Sequence, residues 1–148
     1  MSAGLLDANV LIALLDPEHQ HHDAAHAWLA QCGQTGSEFA VCPLIENACL
    51  RVMCQPSYPK ALPFAMVRAR LAALREQPAC RFWADSVSLS NASCLVTGAT
   101  LAPAAVTDTY LLALAVSHDA RLVTFDRRIA WQNVVGAHAA SIWVLGVA

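Results

Sequence analysis

Lysine is almost missing from this chain. Lys60 is the only one, and Lys plus Arg number 9 against 11 Asp plus Glu, for a formal net charge of -2. That excludes a broad basic face of the kind that grips long duplexes by counterion release, but not a grip on a single phosphate through a bound cation. Long apolar runs are also lacking. Although 57% of residues are hydrophobic and mean hydropathy is +0.44, the longest unbroken apolar run is the seven residues Tyr110–Val116. A bilayer needs about 20. The first residues reach Asp7 with no basic start and no small-residue cleavage pattern, so a cytoplasmic protein is expected and no membrane partner. Six cysteines are present, yet no two form a C-x-x-C pair; buried free thiols are expected rather than disulfides or zinc. Neither G-x-G-x-x-G nor G-x-x-x-x-G-K-[ST] occurs, which removes the common nucleotide-binding loops. No repeat, low-complexity tract or linker divides the 148 residues, and one domain over 1–148 is expected.

What is present is an alternation of short apolar strands and helices. Gly4 to Asp7 reads as a buried strand followed by a helix from Asn9 to Leu15, and Asp23 caps a second helix through Cys32, with Gly33 and Gly36 as stop signals. A strand from Glu38 to Cys42 leads into a helix opened by Pro43 and ending near Cys54. After the proline-rich loop 55–63, a helix spans Phe64 to Glu76, a strand Arg81 to Ala84, and a helix Leu89 to Val96. Thr107 caps a helix, Arg121 to Phe125 returns as a strand, and Ser141 to Leu145 is the last strand. The alternation predicts an α/β protein, a three-layer α/β/α arrangement with helices on both faces of a central parallel sheet.

Four carboxylates lie where isolated acids are unwelcome. Asp7 ends Gly4-Leu5-Leu6, Glu46 interrupts the stretch Val41 to Leu50, Asp108 precedes Tyr110–Val116, and Asp126 follows Leu122-Val123-Thr124-Phe125. Each alone could be a helix cap or a favourable charge in a first turn, worth about 0.3–1 kcal/mol. All four, however, map to the carboxyl-terminal rim of one sheet, where ligands of such folds bind. Two carboxylates about 4 Å apart repel by roughly 4 kcal/mol at an effective dielectric near 20, so such a group takes up protons or holds a divalent cation.

The order of these segments carries a resemblance. Leu5-Leu6-Asp7-Ala8-Asn9-Val10-Leu11, Glu46-Asn47 leading to Arg51-Val52, Thr107-Asp108 through Ala115, and Leu122-Val123-Thr124-Phe125-Asp126-Arg127 together resemble a PIN-domain protein. Trp28 in the second helix and Arg81-Phe82-Trp83 make it similar, more narrowly, to VapC-type ribonuclease toxins. The resemblance implies a Mg²⁺- or Mn²⁺-dependent ribonuclease that cleaves RNA by metal-activated water and is restrained by a cognate VapB-type antitoxin. It implies Asp7 and Asp108 as principal metal ligands, Glu46 and Asp126 as the other two catalytic acids, and Asn9, Thr107 and Thr124 as orienting neighbours. Cys42-Pro43 departs from the family, which usually has a small residue or Ser/Thr there.

Other readings are weaker. A haloacid-dehalogenase-like phosphatase needs an acid where this chain has Asn9 and a later lysine, and a receiver module needs a lysine and an acidic pair. A catalytically inactive PIN-like binding module has no use for four repelling charges. His22 and His26 have the i, i+4 spacing of a zinc pair, but no H-E-x-x-H accompanies them; a solvated loop and helix start is expected for His19, His21, His22 and His26. With 14% charged residues the chain has little polar cover. A homodimer and an antitoxin groove are therefore expected, on the early helices (Leu11, Ile12, Leu14, Leu15, Trp28, Leu29) or on the helix Phe64 to Leu74.

Overall fold

The segments Gly4–Leu6, Phe39–Val41 and 122–123 are apolar at successive positions rather than alternating, as strands covered on both faces must be. In the structure, a computed structural model that describes residues 3–146, the strands are β1 (Gly4–Leu6), β2 (Phe39–Val41), β3 (Cys80–Phe82), β4 (Arg121–Thr124) and β5 (Ile142–Val144). Helices α1 (Ala8–Leu15), α2 (His22–Thr35), α3 (Pro43–Cys54), α4 (Phe64–Arg75) and α5 (Val106–Ser117) connect them. All pairings are parallel and the order is β3-β2-β1-β4-β5.

That order decides where a site can form. The chain moves outward from β1 through β2 to β3, then jumps back across the sheet to β4. Right-handed crossovers place α1 to α4 on one face for the outward moves and α5 on the other for the return. The direction reverses between β1 and β4, and beyond the carboxyl ends of those two strands lies the crevice where open α/β sheets bind ligands. Asp7 follows β1 and Asp126 follows β4 at that point. Leu5, Leu6, Val10, Leu11, Phe39, Leu111, Leu112 and Leu122 are fully buried around the sheet.

Several expectations change. Residues 89–96 are turns plus an isolated antiparallel bridge, Leu95 to Val134, and not a helix. Ser88–Ser90 and Asn91–Ser93 side-chain hydrogen bonds give that backbone local partners that compete with helix. Thr107 is not a cap: a 3-10 turn at Pro103–Ala105 starts α5 earlier and leaves Thr107 exposed within it. Asp23 lies in the first turn of α2, whose N-cap is His21, and the helix runs past Gly33 to a left-handed Gly36 at φ 71°. The third strand begins at Cys80 and ends at Phe82, and Ser141 closes a 3-10 turn before β5.

The apolar excess is placed differently too. Leu11, Ile12, Leu14, Leu15 and Trp28 are buried in the core and Leu29 is half-buried against it, so these residues form no exposed apolar face. Phe64 and Met66 on α4 stay exposed, at 57% and 42%. The six cysteines are free thiols. His22 Nδ1–H donates to Ala13 O at 2.7 Å and His26 Nε2–H to Leu14 O at 2.9 Å, while Arg70 reaches Leu15 O. These side chains satisfy the carbonyls orphaned at the end of α1. No helix among the described residues is long and apolar enough to cross a membrane.

Candidate active site

Asp7 is the N-cap of α1 and is 8% exposed. Its Oδ1 accepts the Ala8 N–H at 2.7 Å and its Oδ2 accepts the hydroxyl of fully buried Thr124 at 2.8 Å. The same hydroxyl oxygen accepts the Asp126 N–H at 3.0 Å. One relay of hydrogen bonds thus joins the carboxyl end of β4 to that of β1 and fixes Asp7 in a single orientation. The capping reading and the site reading of Asp7 are compatible, because the cap uses only one of its oxygens. Asp126 Oδ1 is taken up by its own turn, accepting the Arg128 N–H at 2.8 Å and Nε–H at 3.2 Å.

Asp108, half-buried in the first turn of α5, lies close enough to both of these aspartates to feel their charge and lines one hollow with Asp126. Burial, then the charges of Asp7 and Asp126, push its carboxyl from an ordinary 3.8 up to about 6, with Arg128 opposing. Asp7 is also raised, chiefly by burial; its hydrogen bonds to Thr124 and Ala8 work the other way, and Asp126 adds to the rise. Asp126 is lowered by the Arg128 backbone N–H and then its guanidinium. The three aspartates therefore feel one another's charge at the switch point. Among the described residues, however, no three His, Cys, Asp or Glu side chains close into a ready-made metal shell.

Glu46 stands apart. It lies in the first turn of α3 on the same rim, but its charge partner is Arg75, whose Nε is 3.7 Å from Oε2. Oε2 is buried and accepts no hydrogen bond, and burial raises the carboxyl more than Arg75 lowers it. The Arg75 guanidinium also covers the Phe82 ring at 4.0 Å. Of the expected neighbours, Thr124 contacts Asp7, and Asn9 lines an open hollow with Asp126. Thr107 is exposed; Thr109 is the buried one, donating its hydroxyl to Ala105 O at 2.8 Å and pinning the turn that carries Asp108.

Two further residues escaped the sequence reading. Arg75 carried no signal beyond its charge. Asp85, after β3, accepts the Leu44 N–H at its Oδ2 at 3.1 Å and supplies the cap that Cys42 does not provide for the helix bearing Glu46. The unusual Cys42-Pro43 start hints at a missing cap, but nothing local names the donor's partner 41 residues away.

Residues 4–134 match the family described as PIN domain. The chain belongs to that family. Among its relatives, Ribonuclease VapC44 of Mycobacterium tuberculosis is 42% identical over 133 residues, covering 90% of this chain and 92% of the relative. Ribonuclease VapC29 of the same organism is 40% identical over 126 residues, 85% of this chain and 87% of the relative. Two solved structures share the fold. VapBC2 from Rickettsia felis bound to a promoter DNA fragment has a TM-score of 0.56 at 12% identity, covering 84% of this chain and 88% of that one. Mycobacterium tuberculosis VapC20, a sarcin-ricin loop cleaving toxin, has 0.51 at 9% identity, with 80% and 85% covered.

PIN-domain ribonucleases of the VapC kind are generally metal-dependent. The residues here fit a hard divalent cation: the donors are carboxylate oxygens, and Asp7 and Asp108 have their charged forms disfavoured.

Proposed function

We propose that this chain is a metal-dependent endoribonuclease, the toxin of a VapBC toxin-antitoxin pair. The observation that carries the proposal is the trio Asp7, Asp108 and Asp126 at the β1/β4 switch point, with Asp108 raised to about 6 by burial and its neighbours. Support from kinship is the 42% identity to a protein named a ribonuclease over nearly the full length of both.

In this reading Asp7 and Asp108 hold the cation, Mg²⁺ or Mn²⁺, with Asp126 and Glu46 completing the acidic surround. A cation bound there lowers the pKa of a water and offsets charge gathering on the phosphate oxygens. Thr124 fixes the orientation of the Asp7 carboxylate through Oδ2, and Thr109 holds the turn that presents Asp108. Arg128 counters the charge of Asp108 and Asp126 and stands ready for the phosphate backbone, its side chain 90% exposed. Glu46, on the same rim, has Oε2 facing Arg75 Nε at 3.7 Å, which favours its ionised form against burial and keeps it as an acceptor at the edge of the acidic surround.

A toxin of this type acts inside the cytoplasm and is restrained by a VapB-type antitoxin. Exposed Phe64 and Met66 on α4 favour that face for the antitoxin or a homodimer contact, since apolar anchors supply affinity in helix-in-groove recognition. The decisive test is cleavage of RNA by purified chain with Mg²⁺, with Mn²⁺ and with chelator, beside Asp7→Asn and Asp108→Asn. Cleavage that needs the cation and disappears in both folded variants is the expected result. Chelator-resistant cleavage, or full activity in either variant, would refute the assignment.

A further inference from the structure

Two loops bracket the N-terminus of α5, residues 100–105 before it and 126–133 after β4. Between them lies an open cavity of about 390 Å³ that has Asp108 and Asp126 at one end. Its size falls in the lower part of the range for small-molecule sites. The space exists because the residues that line it are small: Ala104 and Ala130 are exposed there, and the half-buried Leu101 and Ile129 give it an apolar floor. Asn133 stands at the edge. Its amide Nδ2–H reaches Thr100 O at 3.5 Å, tying the two loops, and its Oδ1 accepts no hydrogen bond among the described residues.

We infer that this cavity is a nucleobase subsite, taking the base of one nucleotide that flanks the phosphate to be cut. The inference rests on the ribonuclease reading and deepens it. A base has apolar faces and a polar edge, and the cavity offers an apolar floor with one amide side chain capable of both donating and accepting. Sequence-selective RNA recognition targets unpaired bases splayed out of the strand, stacked on planar groups and read at their edges. Arg128, its side chain 90% exposed, lines the cavity and offers a planar guanidinium beside Asp126. On its other side the same residue borders a second hollow, with Asn9, Phe125 and Arg127. A strand crossing the aspartates thus finds a recess on each side of the cut, and the deeper one, with its apolar floor, is the recess fitted to a base. Asn133 is then a specificity-determining residue.

The test has two arms. Isotopically labelled chain in chelator is titrated with the four ribonucleosides, which lack the phosphate that metal-free aspartates would repel, and amide shifts are followed by NMR. Shifts at Leu101, Ala104, Ala130 and the Asn133 side chain, unequal among the bases, are expected. In the second arm wild type, Ala130→Trp and Asn133→Asp cut a mixed RNA pool with Mn²⁺, and the cut ends are mapped. The indole introduced by Ala130→Trp at that exposed position fills the cavity and should raise KM roughly tenfold with kcat little changed, and Asn133→Asp should change the base preferred beside the cut. No nucleoside shifts at these residues, or a pocket that instead takes an arginine-bearing peptide, would overturn the subsite. So would an Ala130→Trp enzyme with the same KM and base preference as wild type, and in that case the nuclease reading survives. Nucleoside binding in the cavity by a chain that cuts no RNA supports the subsite and sinks the nuclease reading instead.

Discussion

Removing the charge of Asp108 should stabilise the metal-free protein. Its carboxyl is pushed up from an ordinary 3.8 to about 6 in the fold, because burial and the charges of Asp7 and Asp126 disfavour the ionised form. A folded value above the unfolded one means that the native state binds the extra proton, so ionising Asp108 costs stability. The penalty is absent below about pH 4, grows between about 4 and 6, and is full above that range. At face value the shift amounts to roughly 3 kcal/mol. Asp108 is only half-buried, and solvent screening brings the expected cost down to about 1 kcal/mol. Asp108→Asn should therefore raise the melting temperature in chelator at pH 7.5 by about 2–4 °C for a chain of this size. The gain should vanish at pH 4. Thermal unfolding followed by circular dichroism at both pH values measures it. Added Mg²⁺ should reverse the ranking, stabilising the wild type more than the variant. An Asp108→Asn protein that melts lower than wild type at pH 7.5, or whose advantage persists at pH 4, would mean that the aspartate is structural and the repulsion argument fails.

Other outcomes follow from the same contacts. A methyl group at Gly4 would stand 2.6 Å from Val123 Cγ2 and 3.1 Å from the Trp28 ring, so Gly4→Ala should cost about 1–3 kcal/mol in chemical denaturation; a neutral result would show that β1 and α2 can separate freely. Asp85→Ala removes the cap of α3 and should lower stability by up to about 1 kcal/mol while slowing cleavage through Glu46, with Asp85→Asn recovering most of both; equal behaviour of the two variants argues against a cap. RNA products should carry 5′-phosphate and 3′-hydroxyl ends, since water attacks and no ribose hydroxyl is needed. Products ending in 2′,3′-cyclic phosphate, read by mass spectrometry, would exclude that chemistry.

The sequence by itself determined the parallel sheet, its helices and the rim on which the acids stand. Short doubly buried strands read as unbroken apolar runs, and an acid at the end of such a run has few places to go. Asp7 and Asp126 stand out for that reason, and Asp108 stands out as an acid opening the long apolar run of α5. Local signals failed where the deciding partner lies far along the chain or where local bonds compete. Leu89 to Val96 carries helix-like apolar residues, but its Ser and Asn side chains bond their own backbone and Leu95 pairs with Val134. The spacing of His22 and His26 is that of a metal pair, whereas tertiary packing sets them beneath the open carbonyls of α1. Only the tertiary structure decided that Thr124 reaches Asp7, that Asp85 caps α3, and that Glu46 answers to Arg75 rather than to the aspartates. Each is a contact between residues 29 to 117 positions apart, and strand order, which brings such residues together, is a property of the whole chain's packing rather than of any segment's periodicity.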